Sequence, residues 1–223
     1  MTAGSITALF LRGFQLQDLP KHFNYQTLQT PKLKVWMIEV QDFNDKMTAY
    51  KMGVASAKSG LGVYVVPDGD KWKWVAGVFM TENEALQAIS DSKVNNLTCQ
   101  VYEIESKSFN LMSEASEPCR QTLTAVQKIF QLLLELRNTK RESRDFNQLV
   151  INITSQYNKI KNSVEVLQSL NTTLKSDLIA SIIYTANLNI LSLQEIIYGN
   201  NQECSLATIN TVLLKTIFSL DNF

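Results

Sequence analysis

The chain is predicted to be α+β, with a β-α-β-β-α-β sandwich followed by an all-α antiparallel helical bundle. Three observations carry this. Lys34 to Glu105 hold one unit written twice: VWMIEVQDFNDKMTAY, a helical run and GLGVYVVP, then KWKWVAGVFMTENEAL, a helical run and LTCQVYEI. In each copy a strand ends in Phe (Phe43, Phe79), an Ala follows six residues on (Ala49, Ala85), and a Val-Tyr strand closes the unit (Val63-Tyr64, Val101-Tyr102). A period of roughly 35 residues in only two copies excludes a solenoid and leaves one pseudo-symmetric sheet. Second, the apolar period becomes two at Val35. Third, beyond Pro118 the apolar residues step by three and four with no further Pro or strand-like run.

Residues 1–32 read as a stub and connector, marked by Pro20 and Pro31. Within them GSITALFL is apolar but too short to span a bilayer. It fits either a short start helix or disordered arm, or the outer end of an anchor helix that begins upstream of Met1. From Val35, Trp36, Ile38 and Val40 face one way, and Val35, Met37, Glu39 and Gln41 the other. Asn44 and Asp45 cap a helix whose apolar positions Met47, Tyr50, Val54 and Ala57 recur at helical spacing. Gly60 and Gly62 end it, and Val63 to Val66 form a β-branched strand. Pro67-Asp68-Gly69-Asp70 turns the chain into Lys71–Met80, because Pro presets its backbone angle and Gly takes a positive one. Thr81 opens a Thr-x-x-Glu capping box, and Ala85, Leu86 and Ile89 supply the buried face of the second helix. Leu97 to Ile104 is the last strand.

This order predicts a ferredoxin-like sandwich over 33–106, with both helices on one face and the first and third strands in the centre. The other face, carrying Glu39, Gln41, Lys73 and Val75, is expected to be open. Residues 107–117, rich in Ser and Glu, read as a linker, and 118–223 as a four-helix bundle. Its stripes are Leu123, Val126, Phe130, Leu133 and Leu136; then Phe146, Leu149, Ile153, Tyr157, Ile160, Val164 and Leu167, close to a heptad seam. Leu174, Leu178, Ile182, Ala186, Leu193 and Ile197 continue to a stop at Gly199-Asn200, and Leu206, Ile209, Leu213, Ile217 and Leu220 close the chain.

The composition narrows the chemistry. The chain has 223 residues, 45% of them hydrophobic, with 21 basic and 21 acidic side chains and no charged block. Nothing in it points to a nucleic-acid partner. Cys99, Cys119 and Cys204 are odd in number and widely spaced, and His22 is the only histidine, so neither a disulfide framework nor a metal site is expected. No GxSxG, HExxH or Walker loop is present, so no catalytic residue and no cofactor is expected. Asp68 and Asp70 fit a hairpin turn, and Glu82 and Glu84 the first turn of a helix, where the dipole favours them. Trp36, Trp72 and Trp74 share the parity of the helix-covered face and read as core. An RNA-binding sheet would need basic and aromatic residues on the open face. Asn96-Leu-Thr, Asn152-Ile-Thr and Asn171-Thr-Thr are read as chance matches to glycosylation acceptors.

The repeated unit resembles the SPOR (sporulation-related repeat) family, whose half-pattern is similar to V-Q-V-G-x-F followed by an Ala that starts a helix. IEVQDF (Ile38–Phe43) and WVAGVF (Trp74–Phe79) occupy those places, with Gly77, Glu84, Ala85 and the Val-Tyr strands in agreement. The resemblance implies the two-unit sandwich and binding, without catalysis, to bacterial cell-wall glycan stripped of its peptides. It covers about a third of the chain and says nothing of the helical part. This sequence departs from the pattern at Glu39, where the family often has Gln, and at Gln41-Asp42, where it has Gly and a small residue. At Val75 the family has a polar or basic residue. The expectation is a bacterial cell-envelope protein on the extracytoplasmic side, in division or sporulation. Peptidoglycan glycan would meet Glu39, Gln41, Lys73 and Val75, and the bundle would dock a partner protein. The alternative is a protein–protein adaptor that keeps the scaffold without glycan affinity.

Overall fold

The computed structural model describes residues 24–30, 32–141, 143–198 and 205–222, with the side chains of 41, 42 and 219–222 left out. GSITALFL and Gly199-Asn200 lie outside the described residues. The elements are β1 (Tyr25–Gln29), β2 (Leu33–Phe43), α1 (Lys46–Ser56), β3 (Tyr64–Asp68), β4 (Lys71–Phe79), α2 (Glu82–Ser92), β5 (Thr98–Ile104) and β6 (Ser108–Met112). Four long helices follow: α3 (Ser113–Asn138), α4 (Arg144–Leu174), α5 (Asp177–Ile197) and α6 (Leu206–Asn222). The described chain is thus mixed α+β, with six helices and two antiparallel sheets, the strands towards the N-terminus and the long helices towards the C-terminus.

The larger sheet has the order β3-β4-β2-β5, every neighbouring pair antiparallel, so β2 and β4 are central. A β-bulge interrupts the β2–β4 register, Ile38 pairing with Gly77 but Glu39 with Val75. The extra residue, Ala76, resets the alternation, which is why Trp74, Ala76 and Phe79 join one core while Val75 and Val78 join another. The small sheet pairs β1 with β6. Two expectations are corrected here. Residues 107–117 are not a linker but β6 and the start of α3, and 1–32 is not only a connector, since it supplies β1. The pairing of these two stretches places Leu28 and Leu111 in the core beside Ala115 of α3.

Local chemistry sets the helix ends. Asp45 caps α1 by accepting from the Thr48 hydroxyl at 2.6 Å and from the Thr48 N–H at 2.8 Å, and these bonds, the hydroxyl's first, hold its carboxyl below the usual range. Thr81 and Glu84 form the capping box of α2. Gly60 adopts φ +81° in the turn after α1, the left-handed conformation that glycine takes without a Cβ penalty. The inward side of α1 differs from the apolar spacing in its sequence. Ala49, Gly53 and Ser56 are buried, while Met47, Tyr50 and Val54 face out, as does Leu86 of α2. The cause is proximity: a Cβ on Gly53 would lie 2.8 Å from Val63 Cγ1 and 2.9 Å from Trp74 Nε1, so only small residues fit beneath α1.

One core holds Trp74, Ile38, Ala76 and Phe79 beneath α1 and α2, with Trp36 and Trp72 packed at its margin. The second is larger and continuous. It runs from Val35, Met37, Val75 and Val78 on the other sheet face into the interior of the four long helices. Packing joins α3 to α4, α4 to α5, α5 to α6 and α6 back to α3, and α6 also lies on β3 and β4. Helix α6 is accordingly apolar on opposite sides, with Ile209, Val212, Leu213, Leu214 and Ile217 all buried. Arg137 of α3 adds a polar tie, its Nη1 donating to the Val78 carbonyl at 2.5 Å and its guanidinium lying 4.3 Å from the Phe79 ring centroid. Among the described residues no helix is long and apolar enough to cross a membrane.

A shared core predicts a shared transition. All three Trp residues report the sandwich, and far-ultraviolet circular dichroism reports mainly the long helices. A Cβ on Gly62 would sit 2.9 Å from the backbone at Asn210 and Thr211. The variant G62A should therefore lose about 1–3 kcal/mol in denaturant titration, with both probes shifting together. Separate midpoints for the two probes would refute the shared core.

Candidate functional site

The four residues singled out on the second sheet face do not lie on an open surface. Glu39 and Val75 are buried, at 2% and 0% exposure, because α6 packs across β4 and β3 over them. The expectation of an open face is corrected: α6 lies on β4 and β3, and Val75 and Val78 are buried in the core shared with the long helices. Lys73 remains partly accessible, and the side chain of Gln41 lies outside the described residues.

What the structure brings together is smaller and more specific. Where α6 ends, a cavity of about 60 Å³ opens between the sheet and Phe218, lined by Glu39, Lys73, Val75, Gln100, Tyr102 and Met37. Strand register explains the set. Glu39 pairs with Val75 on β4 and with Thr98 on β5, and Met37 pairs with Gln100, so alternate residues of three adjacent strands face the cavity. Lys73 Nζ lies 3.2 Å from Glu39 Oε2, with side-chain exposures of 24% and 3%, and 4.0 Å from Asp68 Oδ2. A carboxylate removed from water in this way needs its ammonium partner, since the desolvation of an unpaired charge costs several kcal/mol.

Two aromatic residues complete the site, and neither was among the sequence candidates. Tyr64 on β3 and Tyr102 on β5 come from opposite edge strands and lean towards Phe218. The Tyr64 and Phe218 rings are stacked at 4.8 Å with 19° between planes, and the Tyr102 and Phe218 rings are tilted at 5.6 Å and 53°. Burial, with a smaller contribution from Tyr184, raises the Tyr64 phenol above its ordinary value, so it is neutral through the physiological range. The signal that could have found this pair was the repeat itself, since Val63-Tyr64 and Val101-Tyr102 close the two copies.

The arrangement places the Phe218 ring between two tyrosine faces, beside a carboxylate, an ammonium and an amide. Elsewhere the described residues carry no cluster of His, Cys, Asp and Glu fit to hold a metal ion. Burial pushes the Cys119 thiol up to about 12 and raises Cys99, with Glu82 adding to the latter, so neither is an activated nucleophile. Asp68 and Asp70 flank the β3–β4 turn at Gly69 (φ +65°), and Glu82 and Glu84 lie in the first turn of α2. Compared with known proteins, the chain matches no family model, no curated protein and no solved structure.

The ion pair makes a measurable prediction. The variant K73A leaves the Glu39 carboxylate without its ammonium and should destabilise the fold by about 2–3 kcal/mol, less than for a fully buried pair because Lys73 is partly solvated. K73R should keep most of that stability. An unchanged denaturation midpoint in K73A would show that the pair contributes nothing.

Proposed function

We propose that this is a non-enzymatic binding protein of the bacterial cell envelope, built on a ferredoxin-like, SPOR-like sandwich, that recognises peptidoglycan glycan through a ring-sized site. Three kinds of support bear on the scaffold: the two-copy repeat, the β3-β4-β2-β5 order, and helices α1 and α2 on one face. The single observation that carries the ligand class is the convergence of Tyr64 and Tyr102 on the Phe218 ring, beside a pocket lined by Glu39, Lys73 and Gln100. Sugar rings present C–H faces that pack on aromatic faces, and hydroxyl rims that pair with carboxylate, ammonium and amide groups. A site of this size takes one ring, at an exposed end of a glycan strand, rather than a length of strand laid across a sheet. The protein would act on the extracytoplasmic side of the membrane, in division or sporulation, with the helical bundle offering surface to a protein partner.

A second reading, a protein–protein adaptor on the same scaffold, is favoured by one observation. Most of the sheet face that would meet glycan is occupied by α6, Val75 included.

Co-sedimentation of the full chain with purified peptidoglycan separates the two. The glycan reading expects weak retention that increases when an amidase removes the stem peptides, and a two- to five-fold drop in Q100A, an exposed position outside the core. No retention of folded protein on either preparation at any loading would leave the adaptor.

A further inference from the structure

We propose that Phe218 is an intramolecular stopper: held between Tyr64 and Tyr102, it fills the place of a ligand ring beside the Glu39–Lys73–Gln100 pocket and narrows access to it until it swings out. This rests on the glycan reading above and concerns the regulation of that site. The argument begins with the contrast along α6. From Ala207 to Ile217 the helix is fixed on both sides, by the bundle interior and by the sheet, and it is tied to the turn after α1 by side-chain hydrogen bonds. Asn210 Nδ2 donates to the Gly60 carbonyl at 2.8 Å, and the Val63 N–H donates to Thr211 Oγ1 at 2.9 Å. Phe218 is different. It lies at the rim of the core, half-buried, with its ring against the rings of Tyr64 and Tyr102 and with no hydrogen bond to hold it.

Phe218 stands near the C-terminal end of α6, just before the four residues whose carbonyl groups have no helical partner. Moving its side chain costs two aromatic contacts and its packing at the rim of the core, and leaves the buried α6 residues up to Ile217 in place. The cavity behind it is already present at about 60 Å³, with Glu39, Lys73 and Gln100 in a lining that also holds Met37, Val75 and Val101. A benzyl ring and a pyranose ring are similar in breadth. The occupant in cis thus has the shape that the two tyrosines would stack upon in trans. A ligand that competes with it pays a fixed population penalty, set by the open fraction of the molecule.

The test uses full-length wild type, F218A and F218L, the last keeping apolar volume without a flat ring should F218A fail to fold. Each is first required to keep wild-type circular dichroism. Lys73 acetylation by a small amine reagent is then mapped against the exposed Lys128 as an internal standard. Retention on amidase-stripped glycan strands is measured alongside it. The stopper predicts Lys73 labelling faster by about 5-fold or more, and retention higher by about 10-fold, each fold of ten corresponding to about 1.4 kcal/mol. Unchanged labelling in both variants overturns the stopper. Wild type retained as well as the variants overturns it too, while the glycan reading stands. Faster labelling with no retention supports the stopper and overturns glycan as the ligand.

Discussion

The molecule depends on how closely α6 can approach the turn between α1 and β3. At Gly62 there is no room for a side chain between the turn and the α6 backbone at Asn210 and Thr211. The same turn is bound on its other side to β4, through the Gly62 N–H to the Ala76 carbonyl at 2.6 Å and Trp74 Nε1 to the Gly62 carbonyl at 2.9 Å. Glycine here is a requirement of distance rather than of flexibility. Because the approach is close, the turn's polar groups find partners on α6, and the apolar flank of that helix reaches Val75 and Tyr64. Without it the sheet would present a wide apolar face to water, and the bundle would lose one of its four walls.

That geometry divides the sheet face into two chemistries. Val35, Val78 and Ile104 continue the bundle core, whereas Glu39, Lys73 and Gln100 form a polar row beyond the apolar span of the helix. A carboxylate buried to this degree is costly unless paired, and Lys73 supplies the pair from the adjacent strand at the distance that the register allows. The bulge at Ala76 matters for the same reason. It returns Val78 to the bundle side after Val75, so the apolar row continues in step with α6 instead of alternating away from it.

Much of this was legible in the sequence, and the misses have physical causes. The repeat led to the strands, both helix caps and the tryptophan core, because period-two alternation and capping boxes are local signals. The stripes of α3 and α4 matched burial closely, Leu123 through Leu136 and Phe146 through Leu167, because a long amphipathic helix has one inward face. What failed was non-local. The exposed Met47, Tyr50 and Val54 were outvoted by the small residues beneath them, whose advantage is invisible until Trp74 and Val63 are seen above Gly53. Strand β6 was hidden in a Ser-rich stretch because its partner lies 83 residues away, across the Thr27–Asn110 hydrogen bond. The open face was misjudged for one reason. The stripe of Leu206, Ile209, Leu213 and Ile217 describes one flank of α6, while Val212 and Leu214 show that it has a second.

The tie between Asn210 and Gly60 spans 150 positions of the chain. Contacts that distant in sequence pay their loop-closure entropy before any stabilisation is returned, which makes their formation late and slow. During that interval the row of Val35, Met37, Val75 and Val78 is wet, β-branched in part, and next to sheet edges that have nothing laid over them yet. Refolding from denaturant at high concentration should therefore lose material to aggregates before α6 docks.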